Sequence, residues 1–174
     1  RFLFSSLLDT AMVLIPFKGI AHYGAVLSAL EIDKTYQEDK KDYDAVPVTN
    51  RVYTRYSSSF YFAFKGLPQI VKTAKGSQLF ELRTYEGYSE NAVDRKTDMF
   101  NDGELTIFEE TGLHAVFFGS QVSGPLMPAL TYMLSFKDME ERNANWNKFI
   151  AHPEWKRISK LPEYANTVSD IKRT

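Results

Sequence analysis

The order of predicted strands and helices from residue 79 onward constrains the fold more than any other feature. The stretch "LFELRTYEGY", residues 79–88, alternates along its length as a strand does. Two further strands are predicted at 114–124 and 129–137, and the turn residues "GPLMP" lie between them. A fourth strand is predicted at 165–174.

A long helix is predicted between the first two strands. Ser89 offers an N-cap, and the helix runs to about Thr111, where Gly112 ends it. Gly103 lies inside the helix and should weaken or kink it. The residues predicted to lie near one face are Val93, Lys96, Phe100, Ile107 and Phe108.

A second helix is predicted after the third strand. Asp138 and Glu141 have the spacing of a capping box. In "AHPEW", Pro153 suits the first turn of a further short helix, and His152 suits its cap. Residues at helical spacing along the second helix are Met139, Arg142, Trp146 and Phe149. The resulting order, β-α-β-β-α-β, predicts a ferredoxin-like α+β fold.

An internal repeat indicates a second copy of this unit. Residues 15–37, "IPFKGIAHYGAVLSALEIDKTYQ", resemble "LSFKDMEERNANWNKFIAHPEWK" further along the chain, and "NRV" at 50–52 matches "NTV" in the fourth strand. We therefore predict a partial first repeat at 1–65, a linker at 66–78 and a second repeat at 79–174.

The first repeat is incomplete as a ferredoxin-like unit. It offers a third strand, a second helix and a fourth strand, but little before Asp9 can serve as its first half. Such a sheet cannot close, so we expect either missing residues or a partner that supplies them. Arg1–Leu8 is apolar and is interpreted as a piece of helix or strand, with the remnant of an export signal as the alternative.

Composition excludes several classes of function. A net charge of −1 gives no electrostatic basis for binding nucleic acid or an anionic membrane. The absence of cysteine excludes disulfides, thiol nucleophiles and thiolate metal sites. No apolar run approaches the roughly 20 residues of a membrane span. The compartment is not assigned, and a bacterial periplasm or cytoplasm both stay open.

The first strand carries charged side chains that the fold must accommodate. In a ferredoxin-like unit the helices cover one face of the sheet, so a second sheet is expected on the other face, enclosing a barrel-like cavity. Phe80 and Leu82 suit the helix-covered face, which would direct Glu81, Arg83 and Tyr85 into that cavity.

Two interpretations of these charges stay open. Glu81 and Arg83 could simply pair and satisfy the sheet, because alternate residues on one face are neighbours. They could instead line a ligand cavity walled by aromatic residues. Tyr132, His114 and Asn166 are nominated as their neighbours from the strand pattern.

Histidine supplies the candidates for acid–base chemistry, since the sequence has no nucleotide-binding or hydrolase motif. The chain has three histidines in no metal-binding spacing, so no metal site is predicted. His114 is the catalytic candidate because its intrinsic pKa is near neutral.

Several motifs together resemble the NIPSNAP family of dimeric α/β-barrel proteins, especially bacterial members with tandem repeats. They are "FELRTYEGY", "GLHAVFFG", "GPLMPALTYMLSFKDMEERNANWNKF" and "PEWK", with "LIPFKG" and "FKGLPQ" in the first repeat. The resemblance implies two ferredoxin-like repeats that form a barrel. Relatives that share this barrel include small monooxygenases, muconolactone isomerase-like enzymes, the EthD group and haem-binding chlorite dismutase-like proteins. The resemblance implies no agreed reaction.

Two functions are carried forward. The first is a binding module that takes a small hydrophobic or aromatic ligand, or a protein partner, in or around the inter-sheet cavity. The second is a cofactor-independent oxygenase or isomerase for small aromatic substrates, with His114, Tyr85, Glu81 and Arg83 around the pocket. No cofactor is expected, and His114 would be the axial ligand if haem were bound. The repeats are expected to pair within the chain, and a homodimer stays open.

Overall fold

The computed structural model describes residues 2–5 and 10–174, which form two compact units, Arg1–Tyr56 and Ser57–Thr174. In the first unit, strand β1 (Phe2–Ser5) pairs antiparallel with β2 (Thr10–Val13). Three helices follow, namely α1 (Ile20–Ile32), α2 (Lys34–Asp39) and α3 (Lys41–Asp44), and then a 3-10 turn at Val48–Asn50.

The first unit has no buried core in its described part. None of residues 10–56 is buried, although α1 is largely apolar. Helix α2 begins at a conventional cap, where the Tyr36 N–H donates to Asp33 Oδ1 at 3.0 Å. The strand predicted at 50–52 is absent, because a 3-10 turn ends there and no further strand forms before Phe60. The first repeat and the domain boundaries therefore stay predictions.

The second unit is a mixed α+β structure built on a five-stranded antiparallel sheet in the order β3-β5-β6-β4-β7. Its strands are β3 (Phe60–Ala63), β4 (Leu79–Glu86), β5 (His114–Ser123), β6 (Ala129–Phe136) and β7 (Asp170–Arg173). Its helices are α4 (Glu90–Met99), a π-helical segment (Phe100–Glu104), α5 (Leu105–Thr111), α6 (Met139–Ala151) and α7 (Pro153–Ile158), with a 3-10 turn at Pro162–Tyr164.

The strand order confirms the ferredoxin-like prediction for the second unit. Strands β4 to β7 alternate with the helices as β-α-β-β-α-β and lie in the sheet as fourth, first, third and second. Strand β3 is an addition that the sequence did not predict, and it pairs with β5 at the edge of the sheet. The segment predicted as a linker also bonds to this sheet, with the Val71 N–H donating to Val116 O at 2.9 Å.

The predicted starts and ends of the first long helix are confirmed. Ser89 Oγ accepts the Ala92 N–H at 3.2 Å, as an N-cap does. Gly103 interrupts the helix within the π-helical segment, where its backbone leaves helical geometry. At the end, Gly112 adopts a left-handed conformation with φ of 77°, and the Leu113 N–H bonds back to Phe108 O at 2.8 Å.

The second helix also begins as predicted. Asp138 Oδ1 accepts the Glu141 N–H at 2.9 Å, and the Lys137 N–H donates in turn to Glu141 Oε2 at 2.5 Å. Its predicted inward face is correct for Trp146 and Phe149, which are buried. Met139 is 56% exposed, so its assignment to that face was wrong.

The core lies between the sheet and helices α4, α5 and α6, and it is unusually aromatic. Phe118 on β5 and Tyr132 on β6 stack with parallel rings 4.7 Å apart, and Phe100 and Phe108 pack edge-on around them. Each buried aromatic ring contributes roughly 1.5–3 kcal/mol of transfer free energy. This layer fixes the positions of the polar groups described next.

Candidate functional site

The charged residues of β4 point toward the helices, which corrects the predicted orientation. Glu81, Arg83 and Tyr85 are buried, whereas Phe80 and Leu82 on the opposite face are only partly buried. The reason is that α6 carries its own polar side chains to this face of the sheet, so the charges find partners there. Buried charges are tolerated when they are paired and hydrogen-bonded.

Glu81 is the centre of this buried network. Its carboxylate accepts hydrogen bonds from Arg83 Nε on the same strand, from Arg142 Nε at 2.6 Å and from Trp146 Nε1 at 3.2 Å. Burial alone would raise the pKa of Glu81, but the hydrogen bond from Arg142 and the charge of Arg83 outweigh it and lower the pKa. Glu81 therefore stays ionised. It pairs with Arg83, as the first interpretation expects, and Arg83 also lines the cleft described below, so both interpretations stay predictions.

Two buried tyrosines extend the polar layer. The hydroxyl groups of Tyr85 and Tyr132 lie 2.8 Å apart, on adjacent strands, and their rings meet edge-on. Burial is the main cause that raises the pKa of Tyr132 well above its ordinary value, so this phenol is neutral. The pair can hold a hydrogen bond without carrying charge.

A second buried ion pair comes from the helices. Lys96 Nζ on α4 bonds to Glu104 Oε2 at 2.6 Å, and the ammonium also lies 4.4 Å from the centroid of Phe100. Glu104 is only 2% exposed, and burial raises its pKa although the charge of Lys96 opposes the shift. Glu104 ends the π-helical segment, a type of irregularity often found at functional sites.

A cleft of about 620 Å³ opens beside these groups. Its walls come from β4, β7, α6 and α7 and from the π-helical segment. The residues that line it are Arg83, Tyr85, Glu104, Arg142, Asn143, Trp146, Asn147, Phe149, Ile150, Trp155 and Arg173. The cleft thus combines aromatic walls with charged groups, as small-molecule sites do.

The structure brings together some of the predicted site residues and separates others. Glu81, Arg83, Tyr85 and Tyr132 form one cluster beside the cleft. His114 begins β5 as an exposed residue whose Nε2 lies 3.8 Å from Glu141 Oε1, and it does not line the cleft.

Asn166 also lies apart from the cluster. It is an exposed loop residue with a left-handed φ of 54° before β7, and it does not line the cleft. Strand alternation alone predicts Asn166 as a neighbour of Glu81. Because β7 begins only at Asp170, that alternation does not extend to Asn166.

Several residues of the site were not predicted. Arg142 and Trp146 were placed on one helix face by their spacing, but nothing in the sequence connected them with Glu81. No pattern in the sequence predicts that Glu104 and Arg173 belong to the site. They reach the cleft only through the π-helical segment and the pairing of β7 with β4. The missed residues are Lys96, Glu104, Arg142, Trp146 and Arg173.

Residues 10–174 contain no cluster of histidine, aspartate or glutamate that could hold a metal ion. No helix among the described residues is long and apolar enough to cross a membrane. His152 caps α7 as predicted, with its Nδ1 accepting the Glu154 N–H at 3.2 Å.

Comparisons with known proteins identify the family. The NIPSNAP family model matches residues 80–174, which is more than half of the chain. No curated protein sequence matches the chain. A NIPSNAP family protein with unknown function from Agrobacterium tumefaciens is similar in structure, at 15% identity and a TM-score of 0.48, over 60% of this chain and 90% of that one. An uncharacterized NIPSNAP domain protein from Burkholderia xenovorans is similar at 20% identity and a TM-score of 0.48, over 56% and 90%. The resemblance seen in the motifs is confirmed, and the chain belongs to the NIPSNAP family.

Proposed function

We propose that the second unit is a small-molecule-binding module whose ligand, a small compound with an aromatic or hydrophobic body, occupies the cleft beside Trp146. The observation that carries this proposal is a cleft of about 620 Å³ lined by Arg83, Arg142 and Glu104, each of which is held in an ion pair with a buried partner. Small-ligand sites typically measure roughly 300–1,000 Å³ and place a few polar groups among aromatic walls.

The cost of the buried charges supports a role beyond stability. An ion pair inside a protein is often no more stabilising than apolar residues of similar volume, because both ions lose their hydration. This unit nevertheless buries Glu81, Arg83, Lys96 and Glu104 beside a core of aromatic and aliphatic side chains. Perturbed, buried groups at the edge of a cleft are typical of binding and catalytic sites.

A second candidate function rests on Glu104. This carboxyl group lines the cleft, and burial raises its pKa, so it holds a proton more readily than an ordinary glutamate and could pass it to a bound compound. We therefore keep a cofactor-independent enzyme, such as an isomerase of aromatic compounds, as the alternative. Turnover of a bound compound that is lost in Glu104→Gln, with binding retained, would favour the enzyme.

The tandem-repeat, barrel-type arrangement is part of the proposal. The face of the sheet opposite the helices carries Leu82, Phe117 and Met133, which are partly or fully buried. We propose that a second ferredoxin-like sheet packs on this face, either from another repeat or from a second copy of the chain. Sedimentation analysis of the full chain would distinguish an internal pair from a homodimer.

The cleft can be tested through the chain's two tryptophans, Trp146 and Trp155, both of which line it. Their indole N–H resonances should shift when a naphthalene-based compound such as 2-naphthylmethanol or 2-naphthoate is titrated. Asn147→Phe should block the cleft from the exposed side of α6 and abolish the shifts. Ala144→Phe, on the same helix but away from the cleft, is the matched control.

Binding that survives in Asn147→Phe as strongly as in Ala144→Phe would contradict the proposed site. Both positions are exposed, so neither substitution should unfold the unit. Thermal unfolding of both variants would verify that they fold like the unchanged protein.

A further inference from the structure

We propose that the cleft selects aromatic compounds that carry a carboxylate, and that Arg173 is the residue that binds this group. The inference deepens the proposed function and depends on it, because it names the class of ligand that the cleft takes. It rests on the charges around the cleft and on the position of Arg173.

The charges around the cleft do not balance. Four basic side chains line the cleft or touch its lining residues, but only two acidic ones do so. The basic residues are Arg83, Lys96, Arg142 and Arg173, and the acidic residues are Glu81 and Glu104. The excess is positive although the whole chain has a net charge of −1. An anionic ligand would restore the balance.

The acidic groups are already committed to other partners. Glu81 accepts hydrogen bonds from both Arg83 and Arg142, and Glu104 accepts one from Lys96 at 2.6 Å. In the part of the chain that the structure describes, no carboxylate side chain forms an ion pair with Arg173. Arg173 is therefore the guanidinium of the cleft that is available to a ligand.

The position of Arg173 makes its charge costly without a ligand. Strand β7 pairs with β4 so that Arg173 lies directly opposite Arg83. Side chains opposite each other on one face lie about 4.5–5.5 Å apart at Cβ, and like charges there are destabilising. A carboxylate between them would remove the repulsion and accept charge-assisted hydrogen bonds, for which a guanidinium is well shaped.

The rest of the wall favours an aromatic body on the anion. Trp146, Phe149 and Trp155 line the cleft together with the two strand arginines. Aromatic walls bind flat apolar compounds, and the few polar groups of such a site fix orientation. A compound with a ring system at one end and a carboxylate at the other fits both features.

A simpler account is that Arg173 only protects an edge strand. Charged side chains on short edge strands prevent pairing with other chains, and β7 is such a strand. Lys172 shares that edge but points to the other face, where it pairs with Glu86. The adjacent lysine therefore provides the matched control for the test.

The test uses three naphthalene compounds of the same size that differ in charge: 2-naphthoate, 2-naphthylmethanol and 2-naphthylmethylammonium. Calorimetric titration of the full chain should show that naphthoate binds about tenfold or more tightly than the alcohol, and that the ammonium binds worst. Arg173→Gln should weaken the binding of naphthoate by about tenfold and leave the affinity for the alcohol unchanged. Lys172→Gln should change neither of these two affinities.

The outcomes separate the two proposals. If the alcohol binds as tightly as naphthoate, or if Arg173→Gln leaves naphthoate affinity unchanged, the carboxylate proposal is overturned while the binding module stands. If none of the three compounds binds, the proposed function itself fails. Thermal unfolding of Arg173→Gln serves as the folding check, and no loss is expected because the side chain is exposed.

Discussion

The guanidinium of Arg83 lies over the indole ring of Trp146, with its Cζ atom 3.7 Å from the ring centroid, while both residues donate to Glu81. Arg83→Lys keeps the charge but loses the planar group that stacks on the ring. Since a desolvated cation–π contact contributes about 1–2 kcal/mol, we expect the free energy of unfolding to fall by about this amount. Urea denaturation would measure the change, and an unchanged midpoint would contradict it.

Glu81→Gln should lower the free energy of unfolding more than any change to a surface ion pair. The substitution keeps the shape of the side chain but leaves Arg83, which is 7% exposed, without its counter-charge. Removing one partner of a buried pair costs about 3–5 kcal/mol, and we expect the lower end because the Arg142 side chain is 26% exposed. The control is Glu154→Gln, which breaks an exposed pair with Arg157 and should change stability little.

The stability of the second unit should depend on Glu81 at acidic pH. The native pKa of Glu81 lies below its ordinary value of 4.5, so in acid the native state resists protonation more than the unfolded chain does. Its contribution to stability is therefore complete above about 4.5 and is lost as the pH falls through the native pKa. Urea denaturation across the acidic range should show the gap between the unchanged protein and Glu81→Gln narrowing as pH falls. A gap that stays constant down to the acid-unfolded state would refute the linkage.

Glu104 should change the stability of the second unit with pH in the direction opposite to Glu81. Burial raises its pKa, so the native state binds a proton more readily than the unfolded chain, and its contribution to stability declines as the pH rises above 4.5. Replacing Glu104 with Gln should flatten this decline. The slope of unfolding free energy against pH is the quantity to compare, and an identical slope in the variant would count against the assignment.

The Tyr85–Tyr132 hydroxyl pair should show strong coupling in a double-mutant cycle. Tyr85→Phe leaves the fully buried Tyr132 hydroxyl without this partner and should cost about 1–3 kcal/mol. Tyr132→Phe should cost less, because Tyr85 lines the cleft and is 8% exposed, whereas Tyr132 is 0% exposed. The double variant should be less destabilised than the sum of the two, and simple additivity would show that the bond contributes nothing.

Gly112→Ala should destabilise the end of α5. The glycine has φ of 77°, and an added Cβ would come within 2.9 Å of Asn145 Nδ2. A left-handed conformation costs an L-residue about 1–2 kcal/mol, and Asn145 must also shift. The control is Gly24→Ala in α1, where nothing lies within 4 Å and the change should be neutral or stabilising. Thermal unfolding should therefore show a lower midpoint for Gly112→Ala and an unchanged or higher midpoint for Gly24→Ala.

The fold of residues 79–174 could be predicted because its signals are local. Ser89, Gly112 and Asp138 act within three or four residues of the groups that they cap, so the sequence displays them directly. The orientation of β4 could not be predicted in the same way. Both sets of alternate residues in β4 contain apolar and polar members, and the partners of Glu81 come from a helix about sixty residues away.

The site was predictable only where the alternation of a strand held. Arg83, Tyr85 and Tyr132 share one face because β4 and β6 pair in a regular register. The positions of Glu104 and Arg173 depend on a π-helical segment and on the exact pairing of the last strand. Neither feature has a recognisable pattern in a single sequence, since both are set by packing elsewhere in the unit.

The place of β4 between β6 and β7 has a consequence for synthesis on the ribosome. Strand β4 is made before every other strand of the ferredoxin-like unit, yet the Leu82 N–H bonds to Thr174 O at 2.7 Å. Until the residues of β7 have left the exit tunnel, β4 presents an unsatisfied edge, and the cleft lacks the wall that Arg173 provides. Nascent chains should therefore remain dependent on chaperones until β7 has emerged from the exit tunnel, because exposed strand edges promote aggregation.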